Sequence, residues 1–552
     1  AKFYPTREVA HGMRRSQAKH RHVCGPQCQR PLVFDWKPER AQLFVHAFEK
    51  AVPELEMCMG GLMAVSSRAQ PDIGAVQSRV EGCMDKFMAA FYQAAEDADM
   101  VRRAACPLAR VGRPVLAPWF DDACRQAKHE LHMTTHAHKH DMSDHARQAV
   151  KAALRLYKAA RMQAKRGYHE HRTMALLELM RSNPSLAMKA LPPTATRTVA
   201  PVTNDQWEGY LGNHWEGGAQ PTNIPTAESP SAVNARQRAA AFNVPLIDDV
   251  LGSIARALKR MDGKSAPGLD AVPAAFIKGA VRQDQDGKAV NVLVPVLASM
   301  FHAFMIACQQ DGVMLPATWR GARIAPLYKK GDPTEPESYR MIAVSSVLYR
   351  VFAACMHDTM SAWCMKVDGV IPDTQFGFIH ERNAQQAQFV LRHVVQCRKR
   401  VKGSQVRASD CKVWSAFIDF KQAYDHVDRK CMMAHLEHRV GLPAFLRCVV
   451  KAMYTGDTNQ VVVAGQSTRP IAPAKGVRQG CPLSPLLFAL FINDLPDALQ
   501  SPTPGAPAGV RLGCEQDRLS VPWLSHLLYA DDLTLLESSQ ARLQCLLDRL
   551  AV

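Results

Sequence analysis

The feature that most constrains this chain is a pair of adjacent aspartates between two apolar runs. Leu527–Tyr529 precedes the pair, and Leu533–Leu536 follows it. Apolar runs around a short polar turn predict a β-hairpin with Asp531 and Asp532 at its tip. Adjacent like charges beside apolar flanks are costly without a counterion, so the pattern favours a bound divalent cation over a plain surface turn.

A third acid has a similar setting. Val413–Ile418 is a candidate strand, Asp419 follows it, and a helix-like segment opens at Phe420. A carboxylate at the end of a strand can meet the tip of a neighbouring hairpin. Asp419, Asp531 and Asp532 would together hold two Mg²⁺ ions about 4 Å apart, with Mn²⁺ as an alternative. Such a pair activates an attacking hydroxyl and stabilises a leaving phosphate oxygen.

A loop with two glycines, Gly476–Pro485, lies between these acids in the sequence. The glycines allow the backbone to approach a ligand closely. Ser484 followed by Pro485 predicts a helix N-cap and first turn, and the apolar residues of Leu486–Leu495 predict a buried helix. The alternative is a loop that only reverses the chain.

Positive charge is concentrated in one part of the chain. The formal net charge is +17, and residues 101–200 contain 18 Lys and Arg against 7 Asp and Glu. His145–Arg181 has no proline and repeats small or apolar residues at helical spacing, which predicts a long basic helix that contacts nucleic acid. A solvated helix face is the alternative. Its basic residues are Lys151, Arg155, Lys158, Arg161, Lys165 and Arg166.

Other patterns carry weaker signals. Six histidines lie from His129 to His145, and those at i and i+4 could share a helical face toward a metal, but the mixed polar surroundings and the short His129–His132 spacing favour a site without zinc. Cys24 with Cys28 forms only half of a zinc-finger pattern. The 16 scattered cysteines predict reduced thiols in the nucleus or cytoplasm rather than a secreted protein. The apolar run Val292–Ala307 contains Pro295 and predicts a packed helix, so we expect no membrane span.

Composition also predicts the domain organisation. Residues 1–190 have a mainly helical, basic pattern, and residues 191–255 contain an irregular linker rich in Pro, Thr, Asn, Gly and Ser with a lead-in helix. Residues 256–552 mix helices with strands and contain the three acids.

Three motifs resemble the reverse transcriptases of non-LTR (LINE-type) retrotransposons. Phe417–Asp425 resembles the first palm motif, Gly476–Pro485 the second, and Tyr529–Asp532 the catalytic hairpin. The basic helix, with Pro118–Asp121, resembles the segment that joins an endonuclease to the polymerase. Flanking matches extend the resemblance through Lys264–Asp270, Arg323–Asp332, Ser338–Arg340 and Gln375–Phe378.

This resemblance implies an α/β right-hand polymerase fold, with fingers and a palm whose antiparallel sheet is backed by helices. It implies RNA-directed DNA synthesis, with an RNA template, a DNA primer and dNTPs as partners. The primer 3′-OH would attack the α-phosphate of a dNTP held by two metal ions at Asp419, Asp531 and Asp532.

The resemblance also implies roles around the nucleotide. Tyr424 would exclude a ribose 2′-OH, and Gln479 would lie against the incoming nucleotide and the template. Arg340, with Lys329 or Lys330, would neutralise the triphosphate.

Two departures from the family pattern are visible. Met341 stands where proline is usual, and Ile379–Arg382 differs from the usual arginine-rich continuation. Because Val552 follows Asp532 by only twenty residues, we expect a partial chain that lacks the thumb and has weak activity. A catalytically inactive nucleic-acid-binding remnant and an RNA-dependent RNA polymerase are the alternatives.

Overall fold

The computed structural model describes residues 32–103, 121–140, 143–182, 202–216, 244–367, 369–400, 412–463, 466–499, 508–511 and 523–550. Cys24, Cys28 and Pro118–Phe120 lie outside these residues. The chain has two compact units. The described part of Arg103–Thr198 forms one, and that of Leu32–Arg102 with Val199–Val552 forms the other.

The described part of the first unit contains two packed helices, Asp122–His140 and Asp144–Ser182. The Asp121 carboxylate accepts a hydrogen bond from the Cys124 N–H at 2.9 Å, which satisfies an amide at the start of the shorter helix. The longer helix confirms the one predicted over His145–Arg181. At 1.5 Å per residue it is roughly 58 Å long.

The second unit contains most of the helices that the structure describes. The helix Leu293–Ala307, which is buried along most of its length, confirms the packed helix predicted there. Within the described residues, no helix combines the length and apolarity that a membrane crossing requires. The α-helices of this unit are Ala41–Glu49, Val52–Ser66, Ile73–Asp97, Asn204–Leu211, Ile247–Arg260, Ala274–Gly279, Leu293–Ala307, Ala317–Arg320, Val347–Lys366, Ala384–Arg400, Arg429–His438, Ala444–Tyr454, Ser484–Phe491, Leu495–Ala498 and Gln540–Leu550.

The strands form small sheets. A three-stranded antiparallel sheet, here called the carboxylate sheet, has the order β12-β13-β7, and a four-stranded mixed sheet has the order β6-β5-β8-β9 with β5 parallel to β8. The other strand pairs among the described residues are β1-β2, β3-β4 and β10-β11. The strands are β1 Leu32–Phe34, β2 Val101–Arg103, β3 Val281–Gln283, β4 Ala289–Asn291, β5 Gly321–Tyr328, β6 Tyr339–Ser345, β7 Trp414–Asp419, β8 Thr458–Val463, β9 Gln466–Ser467, β10 Val510–Arg511, β11 Trp523–Leu524, β12 His526–Tyr529 and β13 Asp532–Glu537.

The large core of the second unit joins distant parts of the sequence. The rings of Phe34 and Phe44 lie 5.4 Å and 5.5 Å from the ring of Phe276, and all three side chains are buried. Buried aromatic rings contribute large apolar areas, so these contacts hold Leu32–Arg102 within the second unit. Leu32–Arg102 thus belongs to the same compact unit as Val199–Val552.

One face of the mixed sheet carries its own apolar cluster. Tyr339, Met341 and Ala343 alternate along β6 and are buried, as expected for a half-buried strand. Met341, the departure from the family pattern, lies opposite Pro326 and packs into this cluster with Trp207. A flexible thioether side chain fills such a gap without leaving a polar atom unsatisfied.

The segment that contains Gly268 and Asp270 fixes the end of β6. Asp270 is buried and accepts a hydrogen bond from the Ser346 hydroxyl at 2.6 Å, just where the helix Val347–Lys366 begins. Burial raises the pKa of the Asp270 carboxyl. A Cβ at Gly268 would overlap the Ser346 backbone, so only glycine allows this close approach.

Candidate active site

The carboxylate sheet brings the three predicted acids together. Asp532 is the first residue of β13 and lies opposite Asp419, the last residue of β7, while Tyr529 ends β12 on its other side. Asp531 lies in the turn of the β12–β13 hairpin. The hairpin and the meeting of the strands are confirmed, with Asp532 inside the strand rather than in the turn.

The neighbouring acids act on the charge of Asp532. Burial raises the pKa of Asp532, and the charges of Asp531 and Asp419 raise it further. Within the described residues, no three His, Cys, Asp or Glu side chains converge closely enough to hold an ion as they stand. The donor set is nevertheless chemically suited to Mg²⁺ or Mn²⁺, which prefer carboxylate oxygens, and a cation would relieve the repulsion.

A segment around Gln375 supports the hairpin through hydrogen bonds to β12. The Leu528 N–H donates to the Thr374 carbonyl and the Phe376 N–H donates to the Leu528 carbonyl, both at 2.8 Å. The Gln375 side chain is buried, and its Oε1 accepts hydrogen bonds from the N–H groups of Gly377 at 3.0 Å and Ala530 at 3.2 Å. These bonds fix the backbone just before Asp531.

Close packing at this support depends on glycine. Ala530 has a left-handed backbone with φ of +57°, which is uncommon for a residue with a side chain. A Cβ at Gly377 would overlap the Ala530 backbone. The sequence shows Gln375–Phe378 only as a flanking match. A role for Gln375 in holding the turn is visible only once the fold brings the two segments together.

Tyr424 lies in the neighbourhood of the acids. Its ring stacks on Phe488 with centroids 4.8 Å apart and planes 15° apart. Burial raises the pKa of Tyr424 to about 12, with a further contribution from the Asp531 charge. The Tyr424 carbonyl accepts the Val477 N–H at 2.8 Å, which joins this residue to the glycine-containing loop.

Gln479 on that loop contacts two different elements. Its carbonyl accepts the Ala343 N–H of β6 at 2.7 Å, and its side-chain Nε2 donates to Asp425 Oδ2 at 2.7 Å. Gly480 has φ of +110°, and a Cβ there would lie 2.7 Å from the Ala343 carbonyl oxygen. The loop is therefore packed against the β5–β6 hairpin.

The three predicted cations lie on that hairpin and its turn. Lys329, Lys330 and Arg340 are exposed, and Arg340 lies opposite Leu327. Burial raises the pKa of Asp425 to about 6, while its bond to Gln479 and the charges of Lys329, Arg340 and Lys475 oppose this shift. Lys329 and Arg340 thus act on the same carboxylate as Gln479.

A buried ionic network, which the sequence does not reveal, contacts the glycine-containing loop. Asp457 is buried and accepts hydrogen bonds from two nitrogens of Arg429, at 2.6 Å and 3.0 Å. Arg429 Nε also donates to the Gly476 carbonyl at 2.9 Å, and Arg478 Nε lies 3.5 Å from Asp457. The Arg478 guanidinium lies over the Tyr349 ring, 4.7 Å from its centroid.

The helix after the loop differs in detail from its prediction. It begins at Ser484, ends at Phe491 and has Leu483 rather than Ser484 at its N-cap. The Ser484 hydroxyl lies 3.3 Å from the Tyr454 hydroxyl inside the core, so a tertiary contact replaces the expected cap.

The six basic residues of the long helix belong to the first unit, and all of them are exposed. Arg166 forms an ion pair with Glu170 at 2.9 Å, and the Arg161 guanidinium lies 5.5 Å from the Tyr157 ring centroid.

Replacing Asp457 with asparagine should destabilise the second unit strongly. The variant leaves the buried guanidinium of Arg478 and the partly buried guanidinium of Arg429 without their counterion, which costs about 3–5 kcal/mol. Urea unfolding followed by circular dichroism measures the loss. Asp311→Asn is a matched control, because Asp311 forms an exposed pair with Lys451 and should cost at most about 1 kcal/mol. Equal urea midpoints for the two variants would contradict the role given to the network.

Comparison with known proteins agrees with the motifs. Residues 328–552 match the family described as reverse transcriptase (RNA-dependent DNA polymerase). The chain is 26% identical over 302 residues to the probable RNA-directed DNA polymerase from transposon BS of Drosophila melanogaster. The matched residues make up 54% of this chain and 29% of that protein.

Two further relatives have similar names. Over 263 residues the chain is 27% identical to the Pol polyprotein from type-1 retrotransposable element R2 of Nasonia vitripennis, covering 48% of this chain and 22% of the relative. Over 260 residues it is 26% identical to the polymerase from mobile element jockey of Drosophila melanogaster, covering 46% and 25%. The chain spans less than a third of each of these relatives. The resemblance found in the motifs is confirmed: residues 328–552 are similar to reverse transcriptases, and the relatives are named as proteins of non-LTR retrotransposons.

Proposed function

We propose that this chain is an RNA-directed DNA polymerase of a non-LTR retrotransposon. One observation carries the proposal: Asp532 lies opposite Asp419 and next to Asp531, and the charge of Asp531 acts on Tyr424. Acids, an aromatic side chain and a glycine-containing loop are thus collected around one place. In this proposal the carboxylate sheet is the palm, and the β5–β6 hairpin belongs to the fingers.

The acids supply the chemistry through metal ions. Asp419, Asp531 and Asp532 would hold two divalent ions, which activate a primer 3′-OH and stabilise the leaving pyrophosphate when bound. The protein's own part is mainly to position groups and compensate charge, because phosphoryl transfer needs little else from side chains. The hairpin support at Gln375 keeps the turn before Asp531 in one conformation.

The surrounding residues bind the nucleotide. The triphosphate oxygens would be bound by Arg340, Lys329 and Lys330, since guanidinium and ammonium groups form charge-assisted hydrogen bonds to phosphate. The Tyr424 ring, held by its stack on Phe488, would clash with a ribose 2′-OH and so favour dNTPs. Gln479 would lie against the nucleotide and the template.

The long basic helix is proposed to contact RNA. Its exposed Lys and Arg side chains form a positively charged surface in the first unit, as a phosphate-backbone contact requires. RNA and a DNA primer are therefore the proposed macromolecular partners, and the nucleus or cytoplasm is the proposed compartment.

Removing the hairpin acids should abolish DNA synthesis. We expect Asp531→Asn with Asp532→Asn to lower Mg²⁺-dependent primer extension on an RNA template by about 1,000-fold or more, because metal binding supplies several kcal/mol to the transition state. The matched control is Asp248→Asn with Asp249→Asn, another adjacent pair, which opens the helix Ile247–Arg260. Extension that survives the change at the hairpin would refute the metal assignment.

Opening the space at Tyr424 should relax sugar selection. Tyr424→Ala is expected to raise the ratio of rNTP to dNTP incorporation, measured as kcat/KM, by about 10- to 200-fold. Tyr424→Phe keeps the ring and should leave the ratio near that of the unchanged protein. If alanine leaves the ratio unaltered, another group selects the sugar. A preference of the unchanged protein for rNTPs would instead favour an RNA-dependent RNA polymerase.

Charge reversal on the basic helix should lower the affinity for RNA and make that affinity depend less on salt concentration. Glutamate at Lys151, Arg155 and Lys158 is expected to reduce the slope of log K against log salt by about 2, at roughly 0.7 per lost single-strand phosphate contact. Filter binding at several salt concentrations measures the slope. Glutamate at the exposed Lys50, Lys259 and Lys288 matches the change in net charge, and an equal loss in that variant would contradict a specific contact.

A further inference from the structure

Asp425 is a carboxylate beside the nucleotide site to which the proposed function gives no role. It lies in the short 3₁₀ turn Ala423–His426, directly after Tyr424. Its side chain is partly buried, and its Oδ2 accepts the hydrogen bond from Gln479 Nε2 at 2.7 Å. The carboxylate therefore joins two segments that are 54 residues apart in the sequence.

The chemistry of this hydrogen bond defines the orientation of the Gln479 amide. An ionised carboxylate has only acceptors, so it must take the nitrogen end of the amide. The Gln479 Oε1 and the second N–H then remain for other partners. A hydrogen bond to a charged group is also stronger than one between neutral groups.

The backbone on both sides of this contact is fixed. The Asp425 N–H donates to the Gln422 carbonyl at 2.9 Å, and the Gly476 N–H donates to the Val427 carbonyl at 2.7 Å. A Cβ at Gly476 would lie 3.0 Å from the Asp425 carbonyl oxygen, so the loop packs directly on this turn. The carboxylate and the amide are thus held by rigid elements.

Positive groups surround the contact. Lys329 and Arg340 act on the Asp425 carboxylate from the β5–β6 region, and Lys475 acts on it from the position just before the glycine-containing loop. The carboxylate consequently has two opposite effects on a bound triphosphate. Its charge repels the phosphates, whereas its hydrogen bond orders Gln479 beside them.

We propose that Asp425 is a positioning residue that fixes the amide of Gln479 for contact with the incoming nucleotide. This inference rests on the proposed function. In it the ordering of Gln479 outweighs the repulsion, so loss of the carboxylate weakens nucleotide binding although it removes a negative charge from the site.

The experiment measures the KM and kcat of single-nucleotide addition for Asp425→Asn. We expect KM for dNTP to rise about 10-fold with kcat nearly unchanged, because asparagine can meet the amide with either end and carries no charge. In a Gln479→Ala background the same substitution should leave KM unaltered or lower it. Asp428→Asn is the matched control, since Asp428 caps the helix Arg429–His438 and should not change KM.

Several results would overturn the inference while leaving the polymerase assignment intact. The first is a lower KM in Asp425→Asn, which would show that only the charge of Asp425 matters. The second is an equal change in KM when Asp425→Asn is made in the unchanged protein and in the Gln479→Ala background. Thermal unfolding verifies that each variant is folded. A midpoint for Asp425→Asn far below that of the unchanged protein, with KM returning to the unchanged value when the assay is run well below that midpoint, would assign Asp425 a structural role only.

The two proposals fail in distinguishable ways. If the unchanged protein retains dNTP on a dideoxy-terminated primer and RNA template but does not extend an ordinary primer, the proposed function fails. Comparing the dNTP affinity of Asp425→Asn, Gln479→Ala, their combination and Asp428→Asn in that complex then decides the role of Asp425. If the protein neither extends a primer nor retains dNTP, both proposals are refuted.

Discussion

Repulsion among three carboxylates on one small sheet is the constraint on which the rest of this site depends. Asp419 and Asp532 face each other across β7 and β13, and Asp531 lies next to them in the turn. The hairpin that carries two of these acids is supported by a segment outside the sheet. Gln375 and Gly377 provide that support by direct contact with the Ala530 backbone.

The loop near the acids is likewise held in place by contacts with neighbouring elements. The Gly476–Gly480 loop is held on one side by β6 and on the other by the turn that carries Tyr424 and Asp425. Behind it, the buried pair of Arg429 and Asp457 fixes the backbone carbonyl of Gly476. The buried carboxylate of Asp457 thus lies next to two guanidinium groups, which offset the cost of its burial.

The sequence predicted the parts of the site that depend on local pattern. The hairpin follows from apolar runs around Asp531 and Asp532, and the long helix from uninterrupted helical spacing. Contacts between distant segments could not be predicted, because no local pattern encodes them. Gln375 meets Ala530 across 155 residues, and Phe34 packs on Phe276 although composition placed it in a separate region. The prediction of Ser484 as the N-cap was wrong because its hydroxyl contacts the Tyr454 hydroxyl in the core.

The central claim is that Asp419, Asp531 and Asp532 jointly hold two divalent ions around the reacting phosphate. A structure of the chain with a dideoxy-terminated primer on RNA, a bound dNTP and Mn²⁺ tests this directly through anomalous scattering. The account predicts two manganese peaks about 4 Å apart, each contacting at least one of these carboxylates and the triphosphate. Manganese bound elsewhere, with the nucleotide in place and these three acids unliganded, would contradict it.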